Sequence, residues 1–86
     1  MSKTIWEFPL YPNDTSIQMP SGARLLTARE QGDAICVWAE VDPDAGNEVR
    51  GFNVFGTGHE MPENPGSYLG TAMLEGGRFV FHVYAS

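Results

Sequence analysis

The sequence predicts an all-β domain, mainly antiparallel, in which about six or seven short strands form a small curved sheet. Apolar and polar residues alternate with period two over short segments, as is typical of half-buried strands. Proline, glycine and aspartate separate these segments, and no stretch shows the period of a long helix. Residues 1–86 should form a single domain. Because sheet edges must be hidden, we expect the sheet to be closed as a barrel or paired as a sandwich.

The N-terminal part contains two predicted strands and one ambiguous segment. In TIWEFPL, Trp6, Phe8 and Leu10 share one face, whereas Pro9 on the other face indicates a sheet edge or a strand end. The segment SIQM follows as a short second strand. Residues 22–30 fit either a strand or a helix, and we favour the strand because glycine and threonine suit an extended chain.

AICVWAEV is the clearest strand, because it is rich in β-branched and aromatic residues and apolar on both faces. We therefore expect it to be central in its sheet, with Trp38 largely buried. Cys36 lies between two apolar neighbours and should be a packed, unreactive thiol. As the single cysteine of the chain, it excludes an internal disulfide.

The C-terminal half continues the strand pattern. The turn formers of DPDAGNE lead into VRGFNVFG, and SYLGTAML, EGG and RFVFHVYA read as a hairpin. In its last strand we expect Phe81 and Val83 on one side and His82 and Tyr84 on the other. The predicted strands follow one another as a meander.

The stretch GTGHEMPENPGS carries two glycines beside an imidazole, which is typical of either a site or a turn. Two prolines forbid regular strand pairing there, so we expect an exposed loop that begins at His59. Gly56 and Gly58 should serve the backbone geometry of the turn. An anion-binding nest of backbone amides is the less favoured interpretation.

Composition limits the classes of partner. Eleven acidic residues stand against five scattered basic ones, for a net charge of −6, which argues against binding to duplex nucleic acid. No apolar run approaches the roughly 20 residues of a membrane span, and the N-terminus has no targeting pattern. We therefore expect a cytoplasmic protein that does not bind membranes.

No residues form a recognised catalytic or metal-binding pattern. Asp42, Asp44 and Glu48 alternate as calcium ligands can, but the segment is short and flanked by predicted strands rather than helices. His59 and His82 are the only imidazoles, and nothing in their spacing requires a shared zinc ion. The sequence therefore predicts no catalytic residue, no metal, no cofactor and no enzyme activity.

Binding is the remaining class of function. Exposed aromatic residues would suit a protein partner, and arginines beside aromatic rings would suit an anionic nucleotide. The residues predicted to bind a partner or ligand are Trp6, Arg24, Arg50, His59, Tyr68 and Arg78. A sheet edge near Pro9 or Pro12 also allows two copies to pair across a two-fold axis as a homodimer.

Five motifs, in this order, resemble a family of short uncharacterised proteins of bacteriophages and prophages: Ile-Trp-x-Phe-Pro-Leu, Pro-x-Gly-Ala, Val-Trp-Ala-x-Val-Asp-Pro, Gly-Thr-Gly-His and Phe-His-Val-Tyr. The resemblance implies a phage origin and the host cytosol, and it supplies no catalytic residues. It implies a small binding protein that acts on a host or phage protein, as an inhibitor or counter-defence factor. The alternative is a sponge that sequesters a nucleotide signal molecule, ahead of a small enzyme or a virion or assembly component.

Overall fold

The computed structural model describes residues 2–86 and contains seven strands in two antiparallel sheets. The strands are β1 (Thr4–Leu10), β2 (Ser16–Pro20), β3 (Arg24–Gln31), β4 (Ala34–Val41), β5 (Asn47–Gly56), β6 (Ser67–Leu74) and β7 (Phe79–Ala85). One sheet has the order β1-β4-β3 and the other has the order β2-β5-β7-β6. The sheets are not closed into a barrel, so the all-β prediction is confirmed in its sandwich form.

The core lies between the inner faces of the two sheets. The three-stranded sheet contributes Leu10, Ala28, Ile35, Val37, Ala39 and Val41, and the four-stranded sheet contributes Ile17, Met19, Phe52, Ala72 and Val83. These residues alternate along their strands with outward-facing residues, as the period-two pattern predicts. The alternation of the last strand is confirmed, since Val83 is fully buried and His82 and Tyr84 face outward.

The ambiguous segment is a strand, which confirms the favoured interpretation of residues 22–30. A bulge at Leu26 interrupts the pairing of β3 with β4, so that Leu25 lies opposite Ala39 and Ala28 lies opposite Val37. The extra residue lets both Leu25 and Ala28 face the core although they are three positions apart. This spacing is also that of a helix face, which is why the sequence alone left the two structures open.

The predicted meander is wrong. β1 pairs with β4 and β2 pairs with β5, so the chain changes sheet between β1 and β2, between β2 and β3, and again between β4 and β5. Residues 42–46 make the last of these crossings with a turn in which the Ala45 amide donates to the Asp42 carbonyl. Each sheet must cover the apolar face of the other, and crossing connections bring this about.

Trp38 is partly buried, but it lies on the outer face of its sheet rather than in the core. β4 is central in its sheet, as predicted, but its even-numbered residues face away from the core. There Trp38 lies opposite Glu7 on β1 and Thr27 on β3, with no second layer over it. On the same outer face Cys36 is 4% exposed, and burial, with a smaller effect of the Glu7 charge, raises the pKa of its thiol.

Candidate functional site

A chain of hydrogen bonds crosses the outer face of the four-stranded sheet. Nε2 of His82 lies 2.7 Å from the Thr57 hydroxyl, and Nδ1 of the same ring lies 3.1 Å from the Thr71 hydroxyl. The Thr71 hydroxyl in turn hydrogen-bonds with the hydroxyl of Tyr68. Both ring nitrogens of His82 therefore have hydrogen-bond partners, which fixes the orientation of its ring.

Three aromatic rings form a row beside this chain. Phe55 and Tyr84 meet edge to face with ring centroids 5.7 Å apart, and Tyr84 and Tyr68 do so at 5.5 Å. Such contacts are the favoured geometry of aromatic pairs. We call the set Phe55, Tyr68, Thr71, His82 and Tyr84 the aromatic face.

Strand register brings the aromatic face together. Tyr68 on β6 lies directly opposite Tyr84 on β7, and His82 on β7 lies between Thr71 on β6 and Phe55 on β5. Because successive residues of a strand alternate between faces, these side chains all point away from the core. Residues that are distant in sequence thus form one cluster on the sheet.

The outer positions of this sheet carry no aspartate, glutamate, lysine or arginine in any of its four strands, all of which lie within the described part of the chain. The protein nevertheless has 16 such residues in 86 and a net charge of −6. An uncharged, aromatic patch on a protein with a net charge of −6 has the composition of a protein-binding surface. Tyr68 is 59% exposed and is the most accessible ring of the patch.

Arg24, Arg50 and Tyr68 line one groove between the two sheets, with a volume of about 470 Å³. Both guanidinium groups already have partners. Arg24 lies 3.3 Å from a carboxylate oxygen of Glu40, and this contact holds the pKa of Glu40 below its usual value. Arg50 donates to the Ala23 carbonyl at 3.0 Å, so part of its bonding capacity serves the fold.

His59 and Arg78 line a second groove, of about 320 Å³, at another end of the molecule. The guanidinium carbon of Arg78 lies 5.4 Å from the centre of the Phe79 ring, within the range of a cation–π contact. The residues that the sequence grouped as one binding set are therefore divided between two separate grooves.

Trp6 stands apart from both grooves on the edge strand β1. It is 40% exposed, and its ring is tilted against that of Phe8 at 6.4 Å between centroids. It lines neither of the two grooves described above, and its ring meets that of Phe8 rather than the ring of Tyr68.

The segment around His59 is a turn followed by an exposed loop, as predicted. The His59 amide donates to the Gly56 carbonyl at 3.1 Å, and Gly58 has φ of +86°, which suits glycine. The His59 ring occupies the space that a Cβ on Gly56 would need. The two glycines thus serve backbone geometry and close packing, and Thr57 between them reaches the aromatic face.

Sequence reasoning missed Phe55, Thr57 and Thr71, and it did not include His82 among the binding residues. The alternation along each strand predicted which of its residues face outward. It did not predict that β5, β6 and β7 lie side by side. Within residues 2–86 no group of three or more His, Cys, Asp or Glu side chains is placed to hold a metal ion. None of the helical segments in that range is long and apolar enough to cross a membrane.

One family model matches the chain, and it covers residues 1–86. Its description is a domain of unknown function, DUF7352. No curated protein and no solved structure matches the chain significantly. Since the match covers the entire sequence, the chain belongs to the DUF7352 family.

Proposed function

We propose that this chain is a small protein-binding module that docks its aromatic face on a protein partner. The observation that carries the proposal is the uncharged outer face of the four-stranded sheet, with its row of Phe55, Tyr84 and Tyr68. Tyrosines are enriched among the residues that dominate binding energy, since a rigid ring offers a large contact area at low entropic cost.

The hydrogen bonds of His82 support the same function. A surface that is already ordered loses little side-chain entropy when it binds, so more of the contact energy appears as affinity. Thr57 and Thr71 hold the imidazole from both sides, and Tyr68 is held through Thr71. The aromatic face is therefore preorganised at its centre.

The motif resemblance to bacteriophage and prophage proteins supports the biological setting. In that setting the chain is phage-encoded and acts in the host cytosol. Its partner is a host or phage protein, which it inhibits or diverts as a counter-defence factor.

A second candidate function is sequestration of an anionic nucleotide in the groove of Arg24, Arg50 and Tyr68. The observation that favours it is that three predicted residues of suitable chemistry line one groove. A phosphate would have to displace Glu40 from Arg24, and this competition makes the groove the weaker candidate.

Affinity capture from bacterial lysate with a tagged chain tests the protein-binding proposal. We expect a specific protein to be captured by the parent and lost with Tyr68→Ala or Phe55→Ala. The matched control is Tyr11→Ala, because Tyr11 is 57% exposed and lies outside the aromatic face. Capture that survives both substitutions in the aromatic face would contradict the proposal.

The same capture experiment distinguishes nucleotide binding from protein binding. Phe55 lies outside the groove and Arg24 lies outside the aromatic face. If the groove is the site, small molecules extracted from the captured chain should include a nucleotide. That nucleotide should be absent from the Arg24→Gln variant and present in the Phe55→Ala variant. The reverse dependence, with a protein lost by Phe55→Ala alone, supports the aromatic face.

A further inference from the structure

The strand β1 has one unpaired edge. β4 lies along one side of it, and β1 is terminal in the three-stranded sheet within the described residues. Two apolar side chains stand at this edge, since Ile5 is 59% exposed and Trp6 is 40% exposed. An exposed strand edge with apolar residues is a template for pairing with another strand.

The register of the sheet shows which backbone groups point away from β4. The two-residue turn between Gln31 and Ala34 makes this pair a hydrogen-bonded pair, and such pairs alternate along an antiparallel ladder. Cys36 and Trp38 therefore bond toward β3, and the odd-numbered residues of β4 bond toward β1.

The partners of those odd-numbered residues are the even-numbered residues of β1, among them Trp6 opposite Ala39. The amide and carbonyl groups of Lys3, Ile5 and Glu7 must then point to the open edge. Pro9 has the same parity, and proline is tolerated in an edge strand where its missing amide would face outward. The turn between β3 and β4 and the position of Pro9 thus indicate independently that the odd-numbered residues of β1 direct their backbone groups to the open edge.

We propose that a second copy of this chain pairs antiparallel with the open edge of β1, across a two-fold axis at Ile5. Ile5 then lies opposite Ile5 of the other copy, and Lys3 lies opposite Glu7 in both directions. Each of these pairs exchanges two backbone hydrogen bonds. All the outward amides of Lys3, Ile5 and Glu7 are satisfied, and Pro9 lies beyond the ladder.

Charge complementarity selects this register. Ile5 and Glu7 lie on the outer face of the sheet, and Lys3, just before β1, contacts Glu40 on that face, so the dimer places an isoleucine pair between two pairs of opposite charge. An axis at Trp6 would place Lys3 opposite Pro9, which has no amide N–H to donate, so the ladder would lose hydrogen bonds. An axis at Glu7 would set two carboxylates directly opposite each other, which is destabilising.

The dimer joins the two three-stranded sheets into one continuous sheet and leaves the aromatic face uncovered. Trp6 lies opposite Thr4 of the other copy, which covers part of its exposed ring. The inference is independent of the proposed partner-binding function, because the two surfaces lie on different sheets.

Light scattering coupled to size-exclusion chromatography, over concentrations up to about 1 mM, covers the range of weak transient complexes. We expect a concentration-dependent dimer. Ile5→Lys places two lysines opposite each other and should raise the dimer Kd about tenfold or more. The matched control is Val49→Lys, at a position that is 62% exposed on the other sheet, and it should leave the Kd unchanged.

A charge exchange tests the register itself. Lys3→Glu alone and Glu7→Lys alone set like charges opposite each other, so each should weaken the dimer. The double variant restores opposite charges and should restore the dimer. Lys3 also lies 3.7 Å from Glu40 within its own chain, but that contact is lost equally in Lys3→Glu and in the double variant.

Folding of each variant is checked by its melting temperature at a concentration where the chain is monomeric. A chain that stays monomeric throughout the series, or a dimer insensitive to Ile5→Lys, would overturn the proposal. A dimer that the double variant fails to restore would overturn the register.

Discussion

The two sides of the sandwich differ in how their strand edges meet. On one side β3 and β6 approach so closely that a Cβ on Gly70 would lie 2.0 Å from the Ala28 carbonyl oxygen. The Glu30 carboxylate on the same side accepts a hydrogen bond from the Met73 amide at 2.8 Å. We call this the closed side. On the other side β1 and β2 share no ladder, and we call it the open side.

The difference shows two ways of managing exposed edges in a small sandwich. On the closed side both edge strands carry a bulge, at Leu26 in β3 and at Leu69 in β6. Bulges bend a strand and are common at sheet edges, and here they occur on the two strands that face each other. On the open side Pro9 limits the length of the available edge, and the rest is free to pair with a second copy.

Gly70→Val should be the most damaging substitution on the closed side. The new side chain would overlap the backbone of Ala28, which has no flexible end that can move away. We expect a loss of unfolding free energy of about 3 kcal/mol or more, at the upper end for overpacked positions. Denaturant unfolding measures the loss.

The matched control is Gly46→Ala, at a position where nothing lies within 4 Å of an added Cβ. It should leave the stability within about 0.5 kcal/mol of the parent. A Gly70→Val protein as stable as this control would show that the closed side is not tightly packed.

Glu30→Gln should weaken the closed side in a pH-dependent way. Its hydrogen bond from the Met73 amide lowers the pKa of the Glu30 carboxyl below the ordinary value of 4.5. The carboxylate therefore contributes stability above pH 4.5, and this contribution is lost as the pH falls through the lowered value in the folded state.

The measurement is the melting temperature of parent and Glu30→Gln between pH 7 and the acid limit of folding. We expect the parent to have the higher melting temperature at neutral pH and the difference to vanish in acid. A difference in melting temperature that persists after the carboxylate is protonated would mean that Glu30 acts through packing rather than through its charge.

Trp6→Ala on the open side should have only a small effect on the monomer. The ring is partly exposed and meets the Phe8 ring only at 6.4 Å between centroids, so we expect a loss of about 1 kcal/mol or less in dilute solution. Thermal unfolding of dilute protein checks this. A loss as large as that of Gly70→Val would mean that the open side is as tightly built as the closed side.

The sequence by itself determined the local structure. The period-two pattern identified the strands, prolines and glycines identified the loop after His59, and the C-terminal strand had the predicted alternation of Val83 with His82 and Tyr84. These features follow from the geometry of an extended chain, in which each residue faces opposite to its neighbour. Tyr68, one of the predicted binding residues, is exposed.

Only the tertiary structure decided which strands meet. The crossings between sheets placed Trp38 on an outer face, and the pairing of β5, β6 and β7 brought Thr57, Thr71 and Tyr68 to His82. A strand pattern states which side of a strand is apolar but not which distant strand lies beside it. That choice depends on long-range packing, and a bulge such as the one at Leu26 changes the face of every later residue in its strand.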